Sequence, residues 1–121
     1  MSGIELDHVQ IAAPPGCENA ARNFYGGLLG MTEVPKPAAL APRGGVWFQS
    51  GSLQLHVGVE QPFSPALKAH PAFSVPDGVL DSLFERLAVA GVEVAWDDGL
   101  APLRRFYAAD PWGNRIELLG R

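Results

Sequence analysis

The sequence predicts an α+β domain made of two successive βαβββ modules, and three observations carry that reading. The hydrophobic periodicity runs strand, helix, strand, strand, strand, and then passes through the same order again. Landmarks recur at a near-constant spacing: His8 and His70 lie 62 positions apart, the helix-ending Gly30 and Gly91 lie 61 apart, and aligning SLQL (52–55) with RIEL (115–118) sets Gln54 against Glu117 at 63. A unit of this length present only twice indicates a duplicated module rather than a solenoid. Half of a 121-residue chain is too short to close a core alone, so the modules, 4–60 and 67–120, are expected to form a single domain over 1–121.

In the first module, IELDHVQIAA (4–13) alternates, with Val9 and Ile11 on one face and His8 and Gln10 on the other, as a half-buried strand does. CENAARNFYGGLLG (17–30) sets Ala21, Phe24, Tyr25 and Leu28 at helical spacing and places Gly30 where a C-terminal cap belongs. Gly26 and Gly27 weaken the second half of that helix. TEVPK (32–36), GVWFQS (45–50) and LQLHVGV (53–59) read as strands, with PKPAALAPRGG (35–45) as a loop between the first two.

The second module opens with AHPAFSV (69–75), which sets Phe73 and Val75 opposite His70, Ala72 and Ser74. Asp77 suits the cap of a helix over GVLDSLFERLAVAG (78–91), whose Leu80, Leu83, Phe84 and Leu87 form an apolar stripe. VEVAW (92–96), LRRFYAA (103–109) and NRIELLG (114–120) follow as strands, the last two joined by the turn signal DPWGN. Phe24, Tyr25, Leu83 and Phe84 are assigned to helix-to-sheet packing.

Composition narrows the function. A hydrophobic content of 47% with 18% charged residues is that of an ordinary folded domain. The net charge of −4 argues against a nucleic-acid partner or an anionic membrane surface, both of which call for a basic face. One cysteine, Cys17, excludes an intrachain disulfide, and no apolar stretch is long enough to span a bilayer. With no secretory leader in MSGIELDHVQ, a cytoplasmic location is expected.

Four strands carry chemically capable side chains on one face: His8 with Gln10, Gln54 with His56, His70 with Ser74, and Arg115 with Glu117. A solvated sheet face gives such alternation without any site. However, all three histidines lie on these faces, and two occupy equivalent positions of the repeat. Imidazole and carboxylate converging from separate strands is the make-up of a divalent-metal site, with positions left open for water or substrate.

The segments LDHVQIAAP, ENAARNFYGGLLGM, AHPAFSV and FYAADPWGNRIELLG resemble the glyoxalase/bleomycin-resistance/extradiol dioxygenase family, the vicinal oxygen chelate superfamily, over roughly residues 4–119. The resemblance implies that the two modules form curled mixed sheets around a cavity that holds a divalent metal ion. It implies His8, His70 and Glu117 as ligands, with Gln54 at the fourth place, or His56 if that strand's register shifts by two. The donor set does not choose among Fe, Zn, Ni and Mn. Glu117 and His56 are the implied acid/base groups, the latter because imidazole titrates near neutrality. A neutral amide at Gln54 cannot take a proton, which departs from glyoxalase I. The set resembles epimerase-type members, and its two His and one Glu also resemble the extradiol dioxygenases and the fosfomycin-modifying thiol transferases.

A lyase, isomerase or dioxygenase acting on a small oxygenated metabolite follows from this resemblance. The alternative is a metal-free binding protein of the bleomycin-sequestering kind. Arg105, Tyr107 and Trp47 are candidate substrate contacts, and the loop bearing Lys36 and Arg43 is a candidate cover. A homodimer is the implied assembly.

Overall fold

The computed structural model describes residues 2–121, which divide into two compact units, a first ending at Phe63 and a second over Ser64–Arg121. Each unit holds one four-stranded mixed sheet and one main helical segment, so the α+β class holds.

The first unit contains β1 (Val9–Ala13), β2 (Thr32–Val34), β3 (Val46–Ser50) and β4 (Leu53–Val59), in the sheet order β1-β4-β3-β2. β1 runs parallel to β4, and the other pairs are antiparallel. The first strand is shorter than its alternation suggested, because its ladder with β4 begins at Val9 opposite Leu55. Residues 4–8 have no such pairing, which leaves Ile4 and Leu6 exposed and His8 just ahead of the strand.

The helix of this unit also differs from an even helical run. α1 (Glu18–Ala21) is α-helical, then widens into a π-helix over Arg22–Leu28. Leu29 N–H donates to Phe24 O at 3.0 Å and Met31 N–H to Tyr25 O at 2.9 Å, spacings longer than the α-helical four. Gly26 and Gly27 lie in the widened part, and Gly30, at φ +76°, ends it in the left-handed conformation that glycine adopts without a Cβ penalty. Phe24 and Tyr25 are buried as assigned, with the Tyr25 ring 6.1 Å from Phe48. The Pro/Ala loop contains a 3₁₀ turn, Ala38–Arg43.

The second unit contains β5 (Ala72–Val75), α2 (Asp77–Val89), β6 (Val94–Asp97), β7 (Arg105–Ala109) and β8 (Arg115–Gly120), with sheet order β5-β8-β7-β6 and β5 parallel to β8. Asp77 is not the cap. Pro76 holds that place without a side-chain bond, and Asp77 is the first helical residue, where its charge suits the helix N-terminus. Its backbone N–H donates to Arg121 O at 2.9 Å, tying the helix start to the strand end. Leu80, Leu83 and Leu87 bury the predicted stripe, and Phe84 stacks on Trp96 at 4.8 Å.

β8 departs from simple alternation. After exposed Arg115 every residue to Gly120 is buried, including Glu117 at 5% exposure, so Glu117 lies on no solvated face.

Candidate functional site

Each unit assembles its own cluster around the histidine that precedes its parallel strand. In the first unit, three rings form a column. Trp47 stacks on His56 at 3.7 Å with parallel planes, and His8 lies over His56 at 4.3 Å. The β3–β4 ladder sets Trp47 opposite His56, and the β1–β4 ladder sets Gln10 opposite it.

Hydrogen bonds fix the tautomers here. His8 Nδ1 lies 2.9 Å from Asp7 Oδ2; a carboxylate accepts, so Nδ1–H donates and, in the neutral ring, Nε2 carries the lone pair. His56 is held the other way round. Its Nε2 faces Gln54 Oε1 at 3.2 Å, which leaves Nδ1 with the lone pair. Burial, and then the neighbouring His8, hold His56 below its ordinary pKa, so the neutral ring is favoured.

The second unit brings His70, Glu117, Arg105 and Tyr107 together. Glu117 N–H donates to Pro71 O at 3.0 Å, which draws β8 against the segment that carries His70. His70 Nδ1 lies 2.8 Å from the Lys68 carbonyl and its Nε2 lies 3.0 Å from Glu117 Oε1. Tyr107, opposite Glu117 in the ladder, meets the His70 ring edge-on at 5.6 Å. Arg105 reaches Glu117 Oε2 at 3.4 Å and Asp97 Oδ1 at 3.0 Å. Arg104 points the other way, to Asp81 on α2 at 2.8 Å, so Arg105 is the arginine of this cluster.

Ladder register changes one equivalence within the repeat. β1 pairs with β4 through Gln10 opposite His56, and β5 pairs with β8 through Ala72 opposite Glu117. Gln10 and Ala72 each lie two residues after the histidine of their unit. Aligned on those histidines, His56 rather than Gln54 is the counterpart of Glu117. Gln54 instead accepts from His56.

Two donors of the second unit are spaced as a divalent cation would require. Nitrogen and oxygen ligands bind such an ion at roughly 2.0–2.2 Å, which puts adjacent ligands on the order of 3 Å apart. His70 Nε2 and Glu117 Oε1, at 3.0 Å, have that separation. An Nδ1–H donated to a backbone carbonyl is also the support that orients a ligating histidine. Among the described residues no group of three or more His, Cys, Asp and Glu side chains is gathered in a geometry that could hold a metal ion. No helix among them is long and apolar enough to cross a membrane.

Three contributors escaped the sequence reading. Asp7 was hidden by adjacency alone, although a carboxylate next to a candidate ligand is a usable signal. Asp97 was missed because β6 extends one residue past Trp96 and pairs Asp97 with Arg105. The Lys68 carbonyl leaves no trace in side-chain identity. Ser74 is exposed on β5, and Arg115 covers the Tyr107 ring at 4.7 Å.

No protein-family model matches the chain, and no curated protein matches it. Solved structures do. A glyoxalase/dioxygenase from Nostoc punctiforme is 24% identical, with 98% of this chain and 92% of that chain covered and a TM-score of 0.77. The fosfomycin resistance protein FosX from Listeria monocytogenes is 18% identical, with 98% and 93% covered and a TM-score of 0.79; both of these likenesses establish the fold. A glyoxalase family protein from Bacillus anthracis is 49% identical, with 98% of this chain and 95% of that chain covered and a TM-score of 0.91. On that identity and coverage, the chain belongs to the glyoxalase family, within the vicinal oxygen chelate superfamily.

Proposed function

We propose that the protein is a divalent-metal-dependent enzyme, a lyase, isomerase or dioxygenase acting on a small oxygenated metabolite. The observation that carries this reading is the His70–Glu117 pair: two donor atoms 3.0 Å apart, with the other ring nitrogen engaged by the Lys68 carbonyl. His8 has the same arrangement in the first unit, its Nδ1 held by Asp7 and its Nε2 free to ligate. His70 and Glu117 would hold the ion, and His8 is a separate candidate ligand in its own unit. Bound there, a divalent cation supplies Lewis acidity that stabilises negative charge developing on substrate oxygens.

The chain's own groups do the rest. Arg105 orients the Glu117 carboxylate through Oε2 while Asp97 balances its charge. Neutral His56, with Nδ1 unprotonated, would serve as the proton acceptor. Tyr107 limits the rotation of His70 by its edge-on contact.

Metal analysis of protein purified without chelator or affinity tag tests the proposal. The expected result is near-stoichiometric divalent metal, lost in His70→Ala and Glu117→Gln. No bound metal, together with unchanged ligand affinity in His70→Ala, would overturn it in favour of a metal-free small-molecule-binding protein.

A further inference from the structure

In the first unit a cavity of about 220 Å³ lies between the sheet and the 35–45 loop, lined by Gln10, Lys36, Leu40, Arg43, Trp47 and Gly58 among others. Binding sites for whole small ligands run to about 300–1,000 Å³, so this space suits one end of a molecule.

The loop over the cavity is held at its neck. The Lys36 ammonium donates to the Gly44 carbonyl, and Gly45 N–H donates to Glu18 Oε2 at 2.7 Å. That leaves the Lys36 charge at the cavity wall and commits one Glu18 oxygen to the backbone. Among the described residues, no hydrogen bond or ion pair engages the Arg43 guanidinium or the Gln10 amide. The floor is shaped for that amide, since a Cβ at Gly58 would stand 2.6 Å from Gln10 Nε2. Leu40 and Trp47 complete an apolar side, with Trp47 also stacked on His56.

Two cations and a free amide on an apolar wall define the chemistry of the occupant. The chain's net charge of −4 gives no general attraction for anions, so a preference for them must come from these local groups. We propose that this cavity is an oxyanion subsite. It takes the carboxylate or phosphate end of a small substrate whose apolar part lies on Leu40 and Trp47, with Arg43 as the charge partner and Gln10 as the second donor. The inference deepens the enzyme reading above and rests on it for the word substrate; the binding itself does not need the metal.

The test is titration of benzoate, phenyl phosphate and benzamide into ¹⁵N-labelled protein, metal-free and metal-loaded, following the Gln10 side-chain amide and the Trp47 indole N–H. At least one of the two anions is expected to shift both signals and to bind tenfold or more tightly than neutral benzamide. The tighter anion identifies carboxylate or phosphate as the natural end group. Arg43→Gln, on an exposed residue at the end of the 3₁₀ turn, is expected to weaken anion binding about tenfold while Arg43→Lys restores part of it. Benzamide binding as tightly as both anions, or full anion affinity in Arg43→Gln, would overturn the subsite. Absence of bound metal would defeat the enzyme proposal while leaving this result unaffected.

Discussion

Glu117 is 5% exposed, with His70 on one oxygen and Arg105 on the other. Replacing it with Ala leaves both partners facing a cavity, and breaking a buried charge pair of this kind costs about 3 kcal/mol. Glu117→Gln also removes the charge but keeps the shape and one acceptor, so its loss is expected to be smaller. Urea unfolding of metal-free protein separates the two, and equal losses would show that the charge, rather than packing, dominates. The sequence placed Glu117 by its spacing from the repeat's other landmarks. It concealed the rest, because alternation says which side a residue takes and not whether that side is wet. The same limit left Gln54 and His56 open: only the ladder, through Gln10 opposite His56, sets His56 against Glu117.

Helical and loop segments were legible where side chains pattern them and opaque where backbone geometry does. The stripe of α2 appears in the sequence as Leu80, Leu83 and Leu87, whereas the π-widening after Ala21 follows from hydrogen bonds that no residue type announces. Two glycines on such segments are expected to respond in opposite directions. Gly45 is at φ +87°, and a Cβ there would stand 2.1 Å from the Val57 carbonyl oxygen, a backbone atom that cannot move aside cheaply. Gly45→Ala is therefore expected to destabilise by about 2–3 kcal/mol and to loosen the loop over the cavity. Gly27 is exposed in the helical segment, and its nearest neighbour to a new Cβ is Arg22 O at 3.9 Å. Gly27→Ala removes unfolded-state entropy and is expected to stabilise by about 0.5 kcal/mol. Thermal melts of both variants check the signs.

At the scale of the whole chain, the duplication was readable because the landmarks recur, and each unit shows the predicted strand, helix and three strands. We propose a homodimer, which light scattering decides. Stability against pH is a property of the whole chain that the local electrostatics determine. His56 is held below its ordinary value of 6.5, first by burial and then by His8. The unfolded chain therefore binds this proton more readily than the native one, so stability is lost as pH falls below about 6.5. The carboxylates act in the same direction at lower pH. Gly45 N–H lowers Glu18 from 4.5, the Arg104 bond lowers Asp81 from 3.8, and Gly99 N–H followed by Arg105 lowers Asp97 from 3.8. Their contribution is complete above those values and disappears below them. Metal-free protein melted at intervals between pH 8 and pH 3 is expected to lose stability in two stages, a first below about 6.5 and a second below about 4.5. His56→Gln is expected to flatten the first stage and leave the second, since Gln does not titrate. A variant profile parallel to wild type across the upper stage would show that the neutral imidazole of His56 is not what the native state protects.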